Sequence, residues 1–402
     1  MADFQAMHVI EALRSGVPSR AVGAYFSEAR PAMLKRIQSE IETVQQTGKS
    51  RGMIYTGRYG EGKTHLLNTV FSMASEANMA VSYVSLGKET PMDKLHLLYQ
   101  KIIANTYLPG KAQPGFRAIL EEMTAGSGSA GELMAYAATS LETNKLYHLL
   151  RAFLGTQEEE ERAQFMADLE GDFVSMALVK KSFRRVTGKP AKMNQNFSKT
   201  KHCRDYFDFI SVLFRSVGLN GWVILFDEAE LIGRLGKKAR AKSYQNMQEF
   251  LNPRDGLESV FSLFAFSASF ADEVIDKRHE FQNVEELFAE DPVAMKAAKA
   301  TLNAVLDAPE LSPLSKEEIL QILGSIQEFH GRAYEWTPSL SPETIYENTE
   351  GGGYLLRTRI RAAIELLDQL YQYGEVGKIR ITELGEESLA EEEEVPELPE
   401  EF

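Results

Sequence analysis

The stretch Gly57-Arg58-Tyr59-Gly60-Glu61-Gly62-Lys63-Thr64 constrains this chain more than any other. It has the form G-x-x-x-x-G-K-T, and each fixed position has a physical reason. Glycines accept positive φ, so the backbone can curl into a nest whose N–H groups point inward at phosphate oxygens. Lys63 supplies a point charge that reaches the β and γ phosphates, and the Thr64 hydroxyl is placed to ligate Mg²⁺. A helix starting at this point adds its positive end, so residues 57–64 with His65 make up the expected cradle. The flanks agree. Gly52-Met53-Ile54-Tyr55-Thr56 reads as a short apolar strand, and Leu66, Leu67, Val70, Phe71 and Met73 recur at helical spacing. Strand, glycine loop and helix in that order predict a nucleotide site.

A second constellation supplies what the cradle lacks. Trp222-Val223-Ile224-Leu225-Phe226-Asp227-Glu228 is an apolar run ending in two acids. Such a run suits a buried central strand, and acids at its carboxyl end lie where open α/β sheets bind ligands. Asp227 is expected to orient Mg²⁺ and Glu228 to polarise an attacking water. A second apolar strand, Val260 to Phe266, ends in Ser267-Ala268-Ser269, which offers Ser267, with Ser269 in reserve, for the γ-phosphate or the water. An ordinary helix cap is the competing role for Asp-Glu and for Ser267 alike.

The remaining chain is largely helical by pattern. Residues 1–50 read as helices leading into a core over 51–308, with a helical insertion at about 107–205. Gly126-Ser127-Gly128-Ser129 reads as a flexible joint. Ser315 and Glu318 form a capping box that opens a helical unit over 309–382. There Gly351-Gly352-Gly353 precedes a helix whose first turns carry Arg357, Arg359 and Arg361. Arg357, then Arg359, is the candidate to reach a γ-phosphate from a lid.

Net charge is −14, but residues 383–402 hold ten Glu and no Lys or Arg, so setting them aside leaves −4. That tail reads as disordered. The near-neutral remainder makes local basic patches informative. Residues 180–204 contain Lys180, Lys181, Arg184 and Arg185 among nine cations and no acid. Arg234, Lys237, Lys238, Arg240 and Lys242 follow the Asp-Glu strand. Either patch could be a phosphate-backbone footprint or a solvated surface. A single cysteine, Cys203, excludes a disulfide framework and Cys-based zinc, and no membrane-length apolar run occurs, which together fit the cytoplasm and no membrane partner.

Taken together, the glycine loop, the Asp-Glu strand, the polar strand tip and the arginine-bearing lid resemble the AAA+ ATPases. The likeness is closest to the BREX-system ATP-binding family of phage-defence clusters, the BrxD-like ATPases. Val9-Ile10-Glu11-Ala12-Leu13-Arg14-Ser15-Gly16-Val17-Pro18 carries it, as do Glu230 to Arg240 and Tyr244-Gln245-Asn246, and it spans about residues 7–375. The resemblance implies an α/β P-loop NTPase fold with parallel sheet order 5-1-4-3-2, ATP with Mg²⁺, and a homo-oligomer with nucleotide at its interfaces. It also implies partners such as double-stranded DNA, a helicase or another defence protein, and an arginine acting across an interface, for which Arg278 is the candidate. A motor-type or switch-type ATPase is the expected function. A recruitment switch with negligible turnover and a P-loop kinase are the alternatives.

Overall fold

The computed structural model describes residues 3–15, 30–254, 256–349 and 356–375. The triglycine at 351–353, the Gly16-Val17-Pro18 part of the family likeness and the acidic tail lie outside the described residues.

Five strands form one sheet: β1 (Arg51–Gly57), β2 (Ala80–Ser85), β3 (Thr106–Tyr107), β4 (Trp222–Asp227) and β5 (Val260–Ser267). Its order is β1-β5-β4-β2-β3, with every pairing parallel except β2–β3. The order 5-1-4-3-2 is therefore not the one that forms. Beside β1, on its outer edge, only one parallel bridge occurs among the described residues, Thr56 with Glu310. The fifth strand is instead the two-residue antiparallel β3 at the opposite edge. Proline explains the missing outer strand: Thr56 donates to Pro309 and accepts from Leu311, but Pro309 and Pro313 bring no N–H to extend the ladder.

Side-chain alternation sorts the apolar strands between two cores. Met53, Tyr55, Val223, Leu225, Phe261 and Leu263 face one side, packed against the helices Pro31–Thr47 and Lys63–Glu76. Ile54, Trp222, Ile224, Phe226, Val260 and Phe264 face the other. There they share one continuous core with the helices between Arg117 and Ser216, so the expected insertion packs onto the sheet. All six residues of β4 are buried, as its unbroken apolar run demands, and each large side chain so buried contributes about 1.5–3 kcal/mol. The Gly126–Ser129 segment is a cap: the Ser127 hydroxyl accepts from the Ala130 N–H at the start of Gly128–Thr139.

A third core belongs to the C-terminal helices Lys316–Tyr334, Pro342–Asn348 and Leu356–Tyr373. The first of these opens with the expected Ser315–Glu318 capping box. The N-terminal helix Phe4–Ser15 joins this core through Ala6, Val9, Ile10 and Leu13, rather than leading into the sheet. Arg14 locks it there with three hydrogen bonds to Asp368 and one to Tyr334. Among the described residues no helix is long and apolar enough to cross a membrane.

Candidate functional site

The register brings the expected residues to one edge of the sheet. Gly57 pairs with Ser267 across β1–β5, and Ser85 pairs with Asp227 across β2–β4. The Gly57 carbonyl accepts from Lys63 Nζ at 3.0 Å and from the Ala268 N–H at 3.1 Å, which ties the glycine loop to the tip of β5.

Within the loop, Gly60 (φ 76°) and Gly62 (φ 92°) take the left-handed conformations that produce the nest. The backbone N–H groups of Gly60, Gly62, Lys63 and Thr64 donate to no other described residue. Four N–H groups without a partner among the described residues, at the start of a helix, are a donor set that phosphate oxygens can satisfy. The loop's shape is held from within and from outside: the Arg58 N–H donates to the Glu61 carboxylate at 2.8 Å, and Tyr55 Oη, on β1, donates to the Lys63 carbonyl at 2.8 Å. Burial raises the Tyr55 pKa far enough to keep that hydroxyl a donor.

Asp227 is buried at the carboxyl end of β4. Its Oδ2 accepts from Tyr83 Oη at 2.6 Å and its Oδ1 from the Glu228 N–H at 2.9 Å. Burial first, then the neighbouring Asp227 charge, keeps the Tyr83 hydroxyl protonated. Glu228 is exposed and sits in the left-handed region at φ 53°, ψ 36°, a strained place for a residue with a Cβ. Glu230, two residues on, turns inward. Its carboxylate accepts from the Ser267 N–H at 3.0 Å; burial raises its pKa, opposed by the Lys63 charge. Ser267 Oγ meets Ser269 Oγ at 3.0 Å. Among the described residues no cluster of three or more metal-ligating side chains occurs.

The C-terminal helix Leu356–Tyr373 reaches the loop. Arg357 donates to Tyr59 Oη at 3.3 Å, and Leu356 lies 3.8 Å from where a Cβ on Gly62 would be. Arg359 instead stacks over the Tyr346 ring. Arg278 is turned into its own subunit, with a 2.6 Å bond to the Gly233 carbonyl.

The basic candidates divide sharply. Arg240 is 2% exposed, clamped by Glu280 and the Leu235 carbonyl, so it cannot meet a nucleic acid; set among Lys237, Lys238 and Lys242, a helix-packing arginine looks in sequence like a surface one. Lys237 is paired with Glu286 at 2.7 Å, while Lys238 is exposed. Arg185 is engaged by Glu158 and Glu161. Lys180, Lys181 and Arg184 are exposed on the helix Met176–Thr187 and form no ion pair with a described residue.

Arg30, Tyr55, Tyr83 and Glu230 were not legible as site residues. Glu230 had a signal, a third acid in Asp-Glu-Ala-Glu. Tyr83 had a weaker one, a phenol on the strand paired with Asp227. Arg30 had none, because its partners are backbone atoms distant in sequence.

No curated protein matches the chain. The family described as BREX system ATP-binding protein BrxC/D matches residues 3–130 and 138–383. This protein belongs to that BREX ATP-binding family.

Proposed function

We propose that this protein hydrolyses ATP with Mg²⁺, as an AAA+ type motor or switch in a phage-defence complex. The observation that carries it is that the unpaired N–H cradle and Lys63 lie beside the strand ends that bear the acids: the Gly57 carbonyl ties Lys63 to the tip of β5, and Glu230, two residues after Glu228, accepts from the Ser267 N–H at that tip and feels the charges of both Lys63 and Asp227. Lys63 and the cradle would bind the β and γ phosphates, and Thr64 and Asp227 would hold the metal. A bound magnesium ion would neutralise charge developing on the transferred phosphoryl group. Glu228, exposed at the mouth of the site, would accept the proton of the attacking water. Ser267 would orient that water, with its strand tip held by Glu230. Arg357 is the arginine the geometry favours for the γ-phosphate, since Arg278 would first have to release Gly233.

Assembly with nucleotide at subunit interfaces, and action on double-stranded DNA or with a helicase or other defence protein, complete the proposal. Lys180, Lys181 and Arg184 offer the exposed cationic face that a phosphate backbone requires. Steady-state phosphate release with and without duplex DNA tests the core of it. Lys63→Ala should lose ATP binding; Glu228→Gln should bind ATP and not turn it over. Normal hydrolysis by Glu228→Gln would sink the assignment of Glu228.

A further inference from the structure

Arg30 is 9% exposed, yet its guanidinium is bonded to no carboxylate among the described residues. One arm donates to the Glu61 carbonyl in the glycine loop at 2.6 Å, and Nε donates to the Ser312 carbonyl at 3.3 Å. Its backbone N–H donates to Glu318 Oε1 at 2.9 Å. The other oxygen of Glu318 accepts from the Ser315 N–H and completes the capping box of the helix Lys316–Tyr334. One residue therefore joins the loop, the segment that connects the helix Pro292–Leu306 to the lid, and the first turn of the lid. It does so from a left-handed backbone (φ 57°, ψ 56°), which a side chain holds only when its surroundings fix it. Burial disfavours the charged guanidinium, and the nearby Glu61 and Glu318 charges oppose that. Only arginine places two rigidly oriented donors on two carbonyls of separate segments. The guanidinium also lies 3.5 Å from where a Cβ on Gly62 would sit, beside the unpaired donors of the cradle.

We infer that Arg30 is a positioning residue that couples occupancy of the glycine loop to the lid helix Lys316–Tyr334. The inference rests on the proposed nucleotide site. Phosphate drawn onto the N–H groups of Gly62 and Lys63 must shift or stiffen the Glu61–Gly62 peptide. Arg30 grips that peptide by its carbonyl, so the displacement passes to Ser312 and Glu318. A second tie between lid and loop, Arg357 to Tyr59, runs from a different helix and is untouched by changes at Arg30.

Hydrogen exchange read by mass spectrometry tests this on the full chain, with and without Mg·ATPγS. In the wild type, nucleotide should slow exchange both in a peptide covering 57–66 and in one covering 312–334. Arg30→Ala should keep the slowing at 57–66 and lose it at 312–334. Arg30→Lys, which preserves the charge but not the fork, should lose most of it too, and serves alone if the alanine variant does not fold. Wild-type protein showing no slowing at 57–66 would mean that ATP does not occupy the loop, a failure of the proposed site itself. Slowing at 57–66 with equal transmission to 312–334 in wild type and both variants would overturn the role of Arg30 and leave the site standing. Slowing at 57–66 but none at 312–334 in the wild type would do the same.

Discussion

Glu228 occupies a backbone conformation that should leave a thermodynamic mark. At φ 53°, ψ 36° its Cβ crowds the following carbonyl, which costs an L-residue roughly 1–2 kcal/mol. Glycine is free of that crowding but gains unfolded-state entropy of roughly 0.4–1 kcal/mol. Because the Glu228 side chain is exposed, removing it forfeits little packing. Glu228→Gly should therefore be more stable than Glu228→Ala by about 0.8 kcal/mol, the difference between the centres of the two ranges, reversing the order usual within helices. Both variants lose the carboxylate, so both should lose ATP turnover alike. Urea unfolding in a Trp336→Phe background would let Trp222, on the same strand as Asp227, report the sheet alone. If Glu228→Ala proved as stable as Glu228→Gly, the strained turn after Asp227 would not exist in solution. The orientation that exposes Glu228 while turning Glu230 inward would then lose its basis.

Other expectations follow from buried charge. Lys145 and Asp168 are fully buried 2.7 Å apart, with Tyr206 donating to Asp168 at 2.7 Å. Lys145→Met should cost about 3–5 kcal/mol, because the carboxylate stays buried without its cation. A Lys145→Met/Asp168→Asn double variant should recover part of that loss by the same unfolding assay. Asp208, in contact with Arg254 at 2.8 Å, has its pKa pushed up to about 6 by burial, which outweighs the arginine. A raised carboxyl pKa favours folding while the proton is held. Its contribution is thus full below the unfolded value near ~4 and fades as pH rises through about 6. Asp208→Asn should flatten that part of a stability profile, and an unchanged slope would refute the assignment. Reversing Lys180, Lys181 and Arg184 to Glu should weaken duplex DNA binding and lower its salt dependence, without changing DNA-free ATP turnover.

Much of the site was written in short-range pattern. The glycine loop, the apolar run ending in Asp227–Glu228 and the Ser315–Glu318 cap are each local, since strand alternation, positive-φ glycines and capping are decided within a few residues. The parallel register then brings Gly57 beside Ser267, a consequence of similar apolar strands packing in one sheet. What pattern could not convey was direction and pairing. Lys237, Arg240 and Arg185 look like their exposed neighbours in sequence, yet Glu286, Glu280 and the Glu158–Glu161 pair claim them. The outer strand likewise depended on whether residues 309–313 could supply donors, which two prolines prevent.

The sequence alone determined that this chain carries a glycine loop between a strand and a helix, and that a second strand ends in acids, because each follows from local backbone freedom and hydrophobic period. Tertiary structure decided which acid faces Lys63, which arginine touches the loop, and that the N-terminal helix sits on the C-terminal helices. Those outcomes depend on contacts between segments far apart in the chain, such as Arg30 with Glu61 and Ser312, where backbone carbonyls, blind to residue type, are the partners.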